Sequence, residues 1–171
     1  MPGSINQMQM LYKPEEDRIF FRVNSTDQKE FRFWVTRRFT KLLLKVLGSH
    51  LVSDPDISLQ GTQEAKQAVM DFKKEKAMSN ANFEQPFRET EVEYPLGEET
   101  QLAFKITSNK VGDNLQLGIH PKDAQGINMV INRDINTTMR QLLLAAAHQA
   151  EWNLGGVTQP AAVTQEDRII N

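Results

Sequence analysis

The chain contains no cysteine. That absence excludes disulfides, thiolate catalysis, iron–sulfur clusters and cysteine-ligated zinc. Histidine is nearly as scarce: His50, His120 and His148 are the whole supply, and they fall on three different expected elements. None has a second histidine or a carboxylate at a spacing such as H-x-x-x-H, so no metal site is expected. No Gly-rich phosphate loop is present, because Leu154-Gly155-Gly156 follows a helical pattern instead of opening one. No G-x-S-x-G elbow occurs either. The carboxylates are numerous, but none sits in an apolar segment that would raise its pKa for acid–base work. No catalytic residue, cofactor or small-molecule ligand is indicated, and a non-enzymatic chain is expected.

Charge of one sign is also lacking. With 20 Lys and Arg against 22 Asp and Glu, the formal net charge is −2, which argues against coating nucleic acid or an anionic membrane by bulk charge. No apolar run approaches the roughly 18 residues of a membrane span. Met1 to Gln7 lacks the basic start and apolar stretch of a signal peptide, so a cytoplasmic protein is expected.

The 171 residues suit one domain with a core of its own. Residues 1–7 read as a flexible N-terminus, 8–154 as a single α+β domain, and 155–171 as a flexible Gln/Pro/Ala/Thr tail. Met8–Lys13 is a short first strand. Ile19, Phe21 and Val23 alternate with Arg18, Phe20 and Arg22. After the turn Ser25-Thr26-Asp27-Gln28, Phe31, Phe33 and Val35 alternate with Arg32, Trp34 and Thr36. This is a β-hairpin. Thr36 can cap the helix that follows, whose apolar positions are Phe39, Leu42, Leu43, Val46 and Leu47, with Gly48 as its stop. Asp54-Pro55-Asp56 reads as loop. A second, very polar helix runs from about Thr62 to Met78, with Ala65, Ala68, Val69 and Phe72 as a narrow apolar stripe.

Residues 79–100 are a long connection with a short strand expected at Glu91–Tyr94. Alternation then returns in three strands that place Leu102, Phe104 and Ile106, then Leu115, Leu117 and Ile119, then Ile127, Met129 and Ile131 on one face. The last helix is expected over Asn136–Trp152. The fold class is α+β: a mainly antiparallel sheet of five to seven strands with three helices. Each half contains a hairpin feeding a helix with a Leu-Leu-Leu run, at Leu42–Leu44 and Leu142–Leu144. Two readings stand side by side. Either a ββα unit is used twice, the second copy with an extra helical turn at Asn136–Met139, or any hairpin followed by an amphipathic helix looks this way.

The most informative residues lie on the first hairpin. If Val23 pairs with Phe31, the inner face joins Phe21 to Phe33 and Ile19 to Val35. The outer face then joins Phe20 to Trp34 and Arg22 to Arg32, with Arg18, Arg37 and Arg38 nearby. Opposed arginines repel unless an anion sits between them, and an exposed Phe–Trp pair usually finds a partner. One reading covers this face with the chain's own elements, arginine stems packed and heads in water. The other makes it a docking surface for a protein partner or for self-association, with single-stranded nucleic acid as the alternative occupant. Charge is segregated in a way that bears on both. Phe31–Ser53 has no acidic residue and carries Arg32, Arg37, Arg38, Lys41 and Lys45. The stretch 84–99 carries Glu84, Glu89, Glu91, Glu93, Glu98 and Glu99 against Arg88 alone. The acidic connection can fold over the basic hairpin, within a subunit or between subunits, and doing so would disfavour nucleic acid there.

The run Asp17-Arg18-Ile19-Phe20-Phe21-Arg22, then Phe31 to Phe39 with its Thr36-Arg37-Arg38, then Leu42-Leu43-Leu44, resembles an uncharacterised group of bacterial hypothetical proteins with a strand–hairpin–TRR–helix N-terminus. The resemblance implies a bacterial or phage origin and no activity. The order of elements is also similar to the head domains of centriolar and DNA-end-joining scaffold proteins, without their long stalk helix; this is a likeness of topology only.

Overall fold

The computed structural model describes residues 3–81 and 85–158. Strand β1 runs Ile5–Lys13, so pairing reaches three residues further toward the N-terminus than expected. The turn at Glu16 and Asp17 follows, with Asp17 at φ 51°. Then come β2 (Arg18–Ser25) and β3 (Glu30–Val35). The alternation of apolar and polar residues makes this meander one-sided. Ile19, Phe21, Val23, Phe31, Phe33 and Val35 are buried on one face, in the register Ile19↔Val35, Phe21↔Phe33, Val23↔Phe31. β1 lies on the open side of β2, with Met10 opposite Phe21.

Thr36 breaks into extended backbone and its side chain accepts the Phe39 N–H, which starts α1 (Arg37–Val52). The helix buries Phe39, Leu43, Leu44 and Leu47. The segment read as loop is instead a single helical turn, α2 (Pro55–Ser58), for a local reason: Asp54 caps it and Pro55 sits where a missing N–H costs nothing. Helix α3 (Gln63–Asn80) is capped by Thr62 and buries only Ala77. Phe72, expected on its apolar stripe, is exposed. The expected strand at Glu91–Tyr94 is reduced to one bridge, Lys29 to Glu93.

A single sheet of five to seven strands is not what forms. The described residues hold two sheets, of four and three strands, with four helices. β4 (Gln101–Leu102) lies parallel to β3. At residues 103–104 the chain changes neighbours: Ala103 N–H donates to Trp34 O, and Phe104 N–H donates to His120 O. β5 (Lys105–Val111) then continues beside β6 (Asn114–His120), and β7 (Ile127–Ile131) closes the second meander. The switch also breaks the expected alternation. Ala103 turns inward, and Leu102 and Phe104 are left 44% and 49% exposed. Helix α4 (Arg133–Gln149) starts three residues earlier than expected, because Asn132 caps it through the Ile135 N–H.

The two hairpin–helix units correspond residue for residue. The register Leu115↔Ile131, Leu117↔Met129, Ile119↔Ile127 repeats that of the first hairpin at a constant distance, since 115 − 19 and 131 − 35 are both 96. The caps Thr36 and Asn132 obey the same spacing, and so do the buried pairs Leu43/Met139 and Leu47/Leu143. The second helix therefore has no extra turn. Its Leu-Leu-Leu run simply sits one turn further along a helix that begins at the equivalent place. Each helix packs on the other unit's first strand, α1 on β5 and α4 on β1, and the helices pack on each other, so one core joins both units.

A buried polar tie marks this crossing. Asn136 Nδ2 donates to Leu47 O at 3.0 Å and to His50 Nδ1 at 2.8 Å, while His50 Nε2 donates to Asp113 O at 2.9 Å. These partners require the neutral Nε2–H tautomer. Burial, with the charges of Arg133 and Lys110, pushes the His50 pKa down against the weaker pull of Asp113 and Asp54. Among the described residues no helix is long and apolar enough to cross a membrane.

Candidate functional site

The face of the first sheet turned away from the helices carries three rows of side chains. The middle row crosses four neighbouring strands: Leu11, Phe20, Trp34 and Leu102 stand side by side in register. Phe20 and Trp34 meet edge to face, with centroids 5.7 Å apart and planes at 61°. The row ends are open to water, Leu11 being 37% exposed and Leu102 44%. Phe20 and Trp34 between them are half-buried. Arg18 closes one side. It pairs with Glu16 and places its guanidinium 5.2 Å from the Trp34 ring centre.

The other side is the row Gln9, Arg22, Arg32. Here the opposed arginines expected from the hairpin register are present, and the anions that make them tolerable come from the chain itself. Arg22 Nε donates to Gln9 Oε1 at 2.8 Å, and its Nη1 reaches Glu89 Oε1 at 2.7 Å. The guanidinium carbon lies 3.8 Å from the Phe87 ring centre. Arg32 Nε donates to Glu30 Oε2 at 2.6 Å, and its Nη2 donates to Tyr94 Oη at 3.0 Å. Glu30 is only 2% exposed, so Arg32 is the counter-charge of a buried carboxylate. The segment after residue 85 is tied to the hairpin end by Glu30 N–H donating to Glu93 O and Glu93 N–H donating to Gln28 O. The acidic connection thus lies over the arginine row within one subunit and leaves the apolar row uncovered at its ends. Glu84 lies outside the described residues.

Five of the seven residues singled out on the hairpin, Arg18, Phe20, Arg22, Arg32 and Trp34, share this face. Arg37 and Arg38 do not. They begin α1, where Arg37 donates to Asn153 O. Leu11 and Leu102 complete the row and escaped the sequence reading. Leu11 was legible in principle, since pairing Met10 with Phe21 puts it beside Phe20. Leu102 was not, because it depends on the parallel pairing of β4.

The equivalent face of the second sheet is different in kind. Gln116, Gly118, Asn128 and Val130 replace Phe20, Arg22, Arg32 and Trp34. His120 sits there beside Thr107, its Nε2 3.2 Å from Oγ1. A Cβ on Gly118 would fall 2.0 Å from that hydroxyl oxygen, which accounts for the glycine. The three histidines remain on separate elements, His50 at the end of α1, His120 on β6 and His148 on α4. Among the described residues no cluster of three His, Asp or Glu side chains is placed to hold a metal ion. Comparison with protein-family models, curated proteins and solved structures finds no match.

Proposed function

We propose that the chain is a non-enzymatic assembly module whose docking face is the outer surface of the first sheet, and that a second copy of the chain is what docks there. One observation carries the reading. Four apolar side chains line up across four strands on that face, while the same positions of the second unit's hairpin hold polar residues and a lone valine. Sheet stability alone does not ask for such a row on a solvent face, whereas a packed interface does. A flat apolar row suits an isologous contact, in which the same strip meets itself across a two-fold axis.

Nucleic acid is the second reading, favoured by the Arg18–Trp34 stack, which offers a base a ring and a cation together. The carboxylates already on Arg22 and Arg32 weigh against it. The test is native mass spectrometry of the purified chain and of Leu102→Glu, a substitution at an exposed row end. The expected result is a dimer that Leu102→Glu reduces to monomer. A wild-type monomer would remove the self-association reading. Salt-sensitive capture of single-stranded DNA or RNA by that monomer would put nucleic acid in its place.

A further inference from the structure

The sheet edges of the two units differ as much as their outer faces. β3 is covered along its far edge near both ends. Lys29 bridges Glu93 in parallel just before its start, and Gln101 and Leu102 pair in parallel with Phe33 and Trp34 near its end. There the Trp34 carbonyl accepts the Ala103 N–H. The 96-residue correspondence puts Met129 and Val130 of β7 at the places of Phe33 and Trp34. β7 is the end strand of its sheet, and among the described residues no segment pairs with its far edge.

End strands are ordinarily blunted by lysine, proline, a bulge or short length. The other three follow that rule. β1 carries Lys13 and a bulge near Ile5, β5 carries Lys105 and Lys110, and β4 has two residues. β7 reads Ile-Asn-Met-Val-Ile, with no charge, no proline and an unbroken register. Ile127, Met129 and Ile131 are buried, and Val130 is 55% exposed. An apolar strand with an unblunted, unpaired edge is what accepts an added strand.

The internal correspondence narrows what that strand is. By strand equivalence it would be the start of β1. Tyr12 faces Ile19 and Lys110 faces Leu115, so the first strands correspond at 110 − 12 = 98, and Gln101 and Leu102 match Gly3 and Ser4. That segment is already placed on β2: Ser4 O accepts the Thr26 N–H, and Ile5 pairs with Ser25. By chain order it is the segment that follows the helix. In the first unit the chain that leaves α1 returns, through 93–102, along the edge of β3. In the second unit the chain that leaves α4 has 171 − 158 = 13 residues beyond Thr158.

The point of departure suits such a return. Arg37, at the start of α1, donates to Asn153 O, and the helical turn Gly155–Thr158 packs on α1. α1 begins beside the Trp34 end of β3, where the neighbouring Phe104 N–H donates to His120 O. Ile119, next to His120, faces Ile127, so β7 begins at this same end. From β3 across β5 and β6 to β7 is three strand spacings, roughly 15 Å, whereas thirteen extended residues span roughly 45 Å. A strand entering here runs parallel to β7, the direction β4 takes along β3.

We infer that residues 159–171 add to β7 of their own chain as a fourth, parallel strand of the second sheet, with Ile169 and Ile170 at the level of Met129 and Val130. Successive strand residues point to opposite faces, so one isoleucine stands beside Val130 as Leu102 stands beside Trp34.

The experiment is amide hydrogen exchange, read by NMR on the isotope-labelled full chain. The reporter is the Val130 amide, which by correspondence with Trp34 faces the far edge. It is expected to be protected in the wild type. It is expected to exchange at least about tenfold faster in the full-length double variant Ile169→Pro/Ile170→Pro, since proline cannot donate to a ladder. Amides of β6, which is paired on both sides, are expected to be unchanged and report an intact fold. An unprotected Val130 amide in the wild type overturns the inference. So does equal protection in the variant, because another segment then covers the edge. Unlabelled wild type is next added to the labelled variant. Val130 stays unprotected if each segment serves its own chain; protection restored by the added chain assigns the strand to a neighbouring copy and overturns the inference. None of these readings depends on the contact proposed for the first sheet.

Discussion

Phe21 and Leu117 hold the same place in the two units, and both are fully buried. One residue away, Phe20 and Gln116 also hold the same place and have nothing in common. The inner faces agree because one core imposes one requirement on both: apolar side chains of compatible size at every second position. The outer faces are free of that requirement, so what stands on them reflects what each meets. The second holds Gln116, Gly118, Asn128 and Val130, the last two exposed. The first carries an apolar row, two arginines held by the chain's own carboxylates, and a segment of backbone laid along its end. Where one architecture is used twice, each unit shows which residues of the other the fold does not need.

The comparison can be broken most forcefully in the shared core. Phe21→Ala and Leu117→Ala should each cost about 3–5 kcal/mol in urea denaturation, close to the whole stability of a domain this size. A small loss in one and a large loss in the other would show that the units are not equivalent. Next in size is the buried pair under the first outer face. Arg32→Ala leaves Glu30 without its counter-charge and should cost about 3 kcal/mol. Asn128→Ala, at the equivalent place of the second sheet, should cost no more than about 1 kcal/mol in the same titration.

The tie between the helices gives the third contrast. Asn136→Ala removes two donors from buried acceptors and should cost about 2 kcal/mol. Its counterpart Thr40 is also buried, but its hydroxyl has no partner among the described residues, so Thr40→Val should change stability by less than about 1 kcal/mol. The smallest effect is a pH slope. His50 has a folded pKa below its unfolded value near 6.5, so the unfolded chain binds the extra proton and stability falls as pH drops below about 6.5. His50→Gln should flatten that stretch of the stability–pH curve. An unchanged slope would mean that another group carries it.

The first hairpin was fully legible in the sequence. Its alternation is unbroken, its turn is short, and register follows from the turn, so the cross-strand pairs could be written down residue by residue. The α1 cap was legible for the same reason, a Thr directly before an apolar stripe. What escaped depends on distant partners. The division into two sheets turns on backbone contacts of Ala103 and Phe104 with residues far away in the chain, and no local pattern signals them. The 96-residue correspondence is half legible in the sequence: the hairpins are alike, but the Leu-Leu-Leu runs lie one helical turn out of step with it. The caps Thr36 and Asn132 align the helices. Leu102 was not legible as a member of the outer row, because only its parallel pairing with Trp34 brings it there.

Sedimentation velocity on three proteins tests the central claim most directly: the wild type, Trp34→Glu in the first outer face, and Val130→Glu at the same place in the second. The expected result is a dimer for the wild type and for Val130→Glu, and a folded monomer for Trp34→Glu. A wild-type monomer at about 100 μM, a concentration that populates interfaces of micromolar Kd, or a dimer in all three, would contradict it.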